Sequence, residues 1–262
     1  MPKFAANLSL LFNELPFLDR FEAAAAAGFD AVEFMFPYEF DAGEIHARLR
    51  ANGLHLALFN LPAGNWAAGE RGLAISPNLI NEFRDSVAQA LKYATTLGCT
   101  QVHCLAGVAA VDGDVRAMRK TYVENLRYAA EKLGREGITL LIEPINTRDV
   151  PGYFLDTTAK AADIIESVEA ENLRLQYDVY HMQIMEGDLA PTIDKYLNMI
   201  AHIQIADTPG RHEPGTGEIN YPFVFVHLDR IGYKGWVGCE YRPRTSTFDS
   251  LAWFRELKSH ST

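Results

Sequence analysis

Short apolar runs alternate with longer amphipathic stretches along the whole chain. The series opens with FAANLSL (4–10) and continues with AVEF (31–34), LHLALF (54–59), QVHCL (101–105) and ITLLIE (138–143). LRLQYD (173–178), HIQIAD (202–207) and WVGCEY (236–241) complete it. Several of these runs do not alternate polar with apolar, as expected of strands covered on both faces. Before five of them stands a glycine at a helix end: Gly28, Gly53, Gly98, Gly137 and Gly232. A helix often closes with one residue at positive φ, which glycine adopts without a Cβ penalty. The segments between read as helices. Residues 16–27 follow Pro16 and put Phe17, Phe21 and Ala24 on one side. Residues 76–97 open on Ser76-Pro77, a cap followed by proline at the first helical position. Residues 115–134 and 247–258 are amphipathic, the latter with Phe248, Leu251, Trp253 and Phe254.

Eight strand candidates, each followed by a helix candidate, predict an α/β protein with a parallel sheet. Spread over 262 residues, eight units favour a closed (β/α)8 TIM barrel, one domain over 1–262, with its active site at the C-terminal strand ends. A doubly wound open sheet is the runner-up and would bind nucleotide through a glycine-rich first turn. The first turn here, SLLFNELP, has no glycine, and GTGEIN (215–220) does not complete GxGxxG.

Composition narrows the partners. Lys plus Arg is 24 against 34 for Asp plus Glu, a net charge of −10. Such a chain repels phosphate backbones, so no nucleic acid is expected. No apolar stretch approaches a membrane span, and the N-terminal apolar run is broken by Asn7, Asn13 and Glu14, unlike a signal peptide. Three cysteines, Cys99, Cys104 and Cys239, cannot all pair, which points to small buried packers in a cytoplasmic protein. Homo-oligomerisation is left open.

The chemistry concentrates at strand ends. Glu143 and Asp178 close two strand candidates, Gln204 lies in the next, and Glu240 ends the last. They are spaced by 35, 26 and 36 residues, each close to one βα unit. Four successive strands, 5 to 8, would therefore point them at one centre. Like charges at close range resist ionising together, and a divalent cation removes that conflict. Carboxylate and amide oxygens suit a hard ion, Mg²⁺ or Mn²⁺. The bland alternative is that the acids cap neighbouring helix N-termini. His181, three residues past Asp178, is a candidate hydrogen-bond partner for substrate or for a ligand carboxylate. His103 reads as a core or supporting residue, and His46, His227 and His260 as surface or helix positions. The loop at 60–72 is long for a βα turn and carries Trp66, Glu70 and Arg71, a candidate lid. The loop at 206–220 holds Arg211 and His212, and its guanidinium suits a substrate carboxylate; Arg242 and Arg244 repeat the idea more weakly. No GxSxG is present.

These stretches, with NLPAGNWAAGERG, LLIEPIN, QYDVYHMQ, GRHEPGTGEINYP and GWVGCEYRPR among them, resemble the hydroxypyruvate isomerase family over nearly the whole chain. That family sits in the xylose-isomerase-like barrel superfamily. The resemblance implies metal ligation by Glu143, Asp178, Gln204 and Glu240, with Gln204 where the wider superfamily carries His. It implies Glu143 and Glu240 as the acid/base pair, and substrate contacts from His181 and Arg211. The implied reaction interconverts hydroxypyruvate and 2-hydroxy-3-oxopropanoate, a small oxo acid and its isomer. A sister activity in the same family isomerises 2-oxo-tetronate to 3-oxo-tetronate. A non-catalytic sugar-acid-binding barrel and a metal-dependent phosphodiesterase are readings of other classes.

Overall fold

The computed structural model describes residues 1–259, so His260 lies outside the described residues. Eight strands form one closed barrel, β1 (Lys3–Asn7), β2 (Ala31–Phe34), β3 (His55–Asn60), β4 (Gln101–His103), β5 (Thr139–Ile142), β6 (Leu173–Asp178), β7 (Ile200–Ile205) and β8 (Trp236–Cys239). Every neighbouring pair is parallel, and β8 closes on β1 with Ala5 opposite Gly238. The chain is thus the (β/α)8 barrel that the alternating pattern predicts.

Helices α1 (Arg20–Ala26), α2 (Ala42–Ala51), α3 (Ile80–Leu97), α4 (Val115–Gly134) and α5 (Thr158–Val168) follow the first five strands, although α1 also has a short 3-10 turn before it. Two helices, α6 (Val179–Met185) and α7 (Leu189–Tyr196), follow β6. Helix α8 (Tyr221–Arg230) follows β7, and α9 (Thr247–Ser250) and α10 (Ala252–Ser259) follow β8. All five predicted helix-end glycines have positive φ, between +63° and +92°. Gly98 shows the use: at φ +66° it closes α3 and lets Cys99 N–H bond back to the Ala94 carbonyl.

Three helix expectations need correction. Ser76-Pro77 does not cap α3. Leu79 N–H bonds to the Ser76 carbonyl in a turn, and the helix starts at Ile80 without a side-chain cap. Residues 17–19 form a 3-10 turn ahead of α1, where Phe17 packs edge-on against Phe21 and Phe34. The expected helix over 247–258 breaks at Leu251, and Phe248 is 69% exposed rather than packed, covered on one side by Arg255.

The core lies between the barrel and its helices, with Leu140, Leu175, Ile203 and Val237 fully buried. Cys99, Cys104 and Cys239 are buried free thiols, as expected of small packers. Burial pushes the Cys99 and Cys104 thiols up to about 12, so neither serves as a nucleophile. Leu140 is fully buried, so Leu140→Ala leaves a cavity in that core. It is expected to lower stability by about 3 kcal/mol at unchanged m-value in urea unfolding.

Candidate active site

The strands deliver the four predicted oxygen donors to one end of the barrel. Glu143 follows β5 directly, Asp178 is the last residue of β6, Gln204 lies in β7, and Glu240 follows β8. Asp178 and Gln204 are register partners across β6 and β7. All four are buried, at 5%, 0%, 2% and 8% exposure. A cavity of about 530 Å³ opens above them, walled by Glu143, Glu240, His103, His181, Arg211 and Arg71 among others.

Their partners differ. Glu240 is fully engaged: Gln204 Nε2 (2.6 Å) and Asn7 Nδ2 (3.1 Å) donate to its Oε2, and Arg211 ion-pairs with its Oε1. Arg211 Nη2 also lies 3.6 Å from Asp178 Oδ2. Glu143 Oε1 and Asp178 Oδ2, by contrast, have no hydrogen-bond partner among the described residues. Asp178 spends its other oxygen on the Tyr180 N–H (2.8 Å), so the bland capping role accounts for half of that carboxylate only.

Burial dominates the electrostatics. It pushes the Glu143 carboxyl well above the ordinary range, with Asp178 and Glu240 adding repulsion. Burial also raises Glu240 to about 8 and Asp178 to about 6, although Arg211 pulls both down. Burial by itself would lower the Arg211 guanidinium, but Glu240, Asp178 and Glu143 outweigh that and hold it charged. Acidic oxygens without partners, too much negative charge for one guanidinium, and a carboxylate-and-amide donor set fit a hard divalent cation. Among the described residues, one group of His, Cys, Asp or Glu is close enough to share an ion: Glu143, Asp178 and His181, within 4.8 Å.

His181 is better suited to donate than to ligate. Its Nδ1 accepts from both the Asn146 side-chain amide (2.6 Å) and the Asn146 backbone N–H (3.3 Å). That pair of donors puts the proton of the neutral ring on Nε2, which faces Asp178 Oδ2 at 3.5 Å and Glu143 Oε1 at 3.9 Å. The ring stays neutral, because burial and the nearby Arg211 depress its pKa well below the usual value.

The loops contribute unequally. Arg71 stacks 3.9 Å over the Trp66 ring and lines the cavity. Arg211 stacks over Tyr180 and keeps its Nε–H free of any partner among the described residues. His212 does not line the cavity; its ring bonds the Arg242 carbonyl at 2.7 Å and pins the loop. Asp207, at a predicted strand end, turns away too and accepts backbone N–H bonds from Thr208, Gly215, Gly217 and Ile219.

Sequence reasoning missed Glu33, Asn7 and Gln176, which form the buried polar floor beneath the cavity. One signal was readable: Glu33 is the single charge inside the otherwise apolar AVEF. His103, expected as a core or supporting residue, is buried and lines the cavity, bonded through Nδ1 to Asn60 Oδ1 at 3.2 Å.

The chain matches the xylose isomerase-like TIM barrel family over residues 21–257. A 2-oxo-tetronate isomerase of Cupriavidus necator is 53% identical, over 97% of this chain and 98% of that one. A hydroxypyruvate isomerase of Escherichia coli is 52% identical, with the same coverage of both chains. A crystal structure described as AP endonuclease, family 2, from Brucella melitensis superposes with a TM-score of 0.96 at 51% identity, over 98% of this chain and 99% of that one.

Because the folded-state values for Asp178 and Glu240 lie above the ordinary ones of 3.8 and 4.5, the folded site holds extra protons between about pH 4 and about pH 8. Stability contributed by this site is therefore lost as pH rises through that window. Glu240→Gln is expected to flatten the decline in thermal midpoint of chelator-treated protein between pH 5 and pH 8. Mn²⁺ is expected to raise the wild-type midpoint more at pH 8 than at pH 5. Equal shifts at both pH values would contradict an ionic origin.

Proposed function

The chain belongs to the xylose isomerase-like TIM barrel family, within the group of hydroxypyruvate and 2-oxo-tetronate isomerases, and from that membership we propose that it is a hydroxypyruvate isomerase. The reaction would interconvert hydroxypyruvate and 2-hydroxy-3-oxopropanoate. The observation that carries the mechanism is that two buried glutamates, Glu143 and Glu240, face one cavity with their affinity for protons raised. An acid/base pair needs groups that take and return a proton near neutral pH.

In this reading one glutamate takes a proton from C3, and the electron pair forms the C2–C3 double bond of an enediolate. The other glutamate delivers a proton to C2, while the O3 proton passes to O2, leaving an aldehyde at C3. Glu143, Asp178, Gln204 and Glu240 would hold Mg²⁺ or Mn²⁺, which when bound polarises the substrate carbonyl and acidifies the adjacent C–H. His181 offers its Nε2–H to a substrate oxygen. Arg211, through its free Nε–H, and Arg71, from the rim, are positioned for the substrate carboxylate. His212 acts on substrate through the loop it pins rather than by touching it.

A second reading, 2-oxo-tetronate isomerase, has its own support: the cavity exceeds the needs of a three-carbon acid, and the Cupriavidus relative carries that name. Phosphodiester hydrolysis has less support. The net charge of −10 opposes a nucleic-acid partner. Among the described residues no helix is long and apolar enough to cross a membrane. The unpaired cysteines accord with a cytoplasmic enzyme.

Glu143→Gln and Glu240→Gln are each expected to lower kcat by about 10²–10⁴-fold on hydroxypyruvate. Near-wild-type turnover in either would remove it from the acid/base pair. Side-by-side kinetics should give a higher kcat/KM for hydroxypyruvate than for 2-oxo-tetronate; the reverse order makes the second reading the function. Chelation should abolish turnover and Mg²⁺ or Mn²⁺ restore it; activity that survives exhaustive chelation would exclude the metal.

A further inference from the structure

Beneath the cavity floor, β2 carries a carboxylate that the proposed chemistry does not use. Glu33 is 1% exposed and does not line the cavity. Its side chain reaches across the barrel interior to β7, past the intervening β1 and β8. Space for it is provided by Gly238, where a Cβ would stand 2.3 Å from Glu33 Oε2 and 2.4 Å from Oε1. A carboxylate so buried persists only where donors replace water. Three do: Asn7 Nδ2 at 3.0 Å and Gln204 Nε2 at 2.8 Å on Oε1, and His202 Nε2 at 2.7 Å on Oε2.

Gln204 shows what the carboxylate accomplishes. Its Nε2 donates to both Glu33 Oε1 and Glu240 Oε2, which uses both hydrogens of the amide. The nitrogen end of the amide is therefore pinned between the two acids. Its oxygen must face the other way, where it accepts from Gln176 Nε2 at 2.7 Å. Gln176 is thereby committed to presenting its own N–H2 group, and that amide also lies against Glu143 and favours its charged form. Asn7 ties the same two acids together a second time, through Nδ2 to Glu33 and Glu240. One directed chain of amides thus runs under the cavity from Glu33 through Gln204 and Gln176 to Glu143, with Glu240 attached at its start.

We propose that Glu33 is a positioning residue for the isomerisation: it sets the facing of the Gln204 and Gln176 amides and so holds Glu240 and Glu143 in working orientation from below. The proposal rests on the isomerase reading. It reaches beyond the strand-end residues to a buried acid on the opposite side of the barrel.

The test is Glu33→Met, which keeps nearly the same volume and removes both acceptor oxygens from Gln204 and Asn7. Glu33→Gln is the conservative control: its amide oxygen still accepts from Gln204 Nε2, and His202 follows the new N–H2 by changing tautomer, since its Nδ1 has no partner among the described residues, so kcat is expected to stay within about threefold of wild type. Glu33→Met is expected to lower kcat by about 10–100-fold, with KM changed less than about threefold. In D₂O the ratio of deuterium entering recovered hydroxypyruvate to product formed should depart from the wild-type ratio. The two proton transfers use different glutamates, and the ratio does not depend on how much enzyme is folded. Wild-type kcat in Glu33→Met, or a lower kcat at the wild-type exchange ratio, overturns the proposal. Gly238→Ala supplies a second route, because its methyl displaces the Glu33 carboxylate. It should shift the ratio in the same direction, and adding it to Glu33→Ala should cost nothing further. An unchanged ratio in Gly238→Ala also overturns the proposal. A wild-type protein inert on both oxo acids removes the isomerase reading and this proposal with it. An active wild type with an indifferent Glu33→Met removes only the proposal.

Discussion

Four carboxylates share one water-poor end of this barrel, and one guanidinium stands among them. Glu33, Glu143, Asp178 and Glu240 are all buried, and Arg211 bridges Glu240 and Asp178. Such crowding is costly unless each charge is matched by a donor, a counter-ion or a proton. Much of the local architecture follows from that constraint. The floor is built of amides, Asn7, Gln176 and Gln204, because an amide can give hydrogen bonds to two acids without adding charge. Gly238 carries no side chain where the deepest acid needs room. Glu143 Oε1 and Asp178 Oδ2 have no hydrogen-bond partner among the described residues, and Arg211 faces the latter at 3.6 Å.

The loops above serve the same economy of charge. Asp207 looks from sequence like a fourth strand-end acid, yet it is turned into its own loop, where four backbone N–H groups donate to it. That closed loop carries Arg211 back over the cavity, held from behind by Arg242 N–H on the Arg211 carbonyl and by His212 on the Arg242 carbonyl. Across the mouth, Arg71 lies over the Trp66 ring and Trp66 packs at a tilt against Phe36, so the rim arginine is anchored by aromatic surface where it lines the cavity. A cation fixed near an otherwise acidic cavity is what a small oxo acid requires to enter it.

The barrel was largely legible in the sequence because both of its signals are local. An apolar run long enough for a strand and a glycine at a helix end are properties of a few adjacent residues; all eight strands appear where the apolar runs lie, five of them behind such a glycine. Helix ends were less legible. Ser76-Pro77 has the composition of a cap but the geometry of a turn, and Leu251 interrupts a segment whose periodicity runs straight through it. Such boundaries are decided by how the chain meets its neighbours.

The site divides in the same way. Spacing by one βα unit identified Glu143, Asp178, Gln204 and Glu240, since successive parallel strands must bring equivalent positions to the same end of a barrel. Which atom of each side chain faces which partner was decided only by the closed structure. The proton position on His181 follows from Asn146, the facing of Gln204 from Glu33, and the withdrawal of His212 from the Arg242 carbonyl. Glu33 and Gln204 are separated by |i−j| = 171 in sequence and 2.8 Å in space. Periodicity and strand order are written along the chain, and they were enough for the barrel and for the acids at its mouth. How those acids pair emerges only once the barrel closes, because a hydrogen bond depends on direction across it, and no one-dimensional pattern records that.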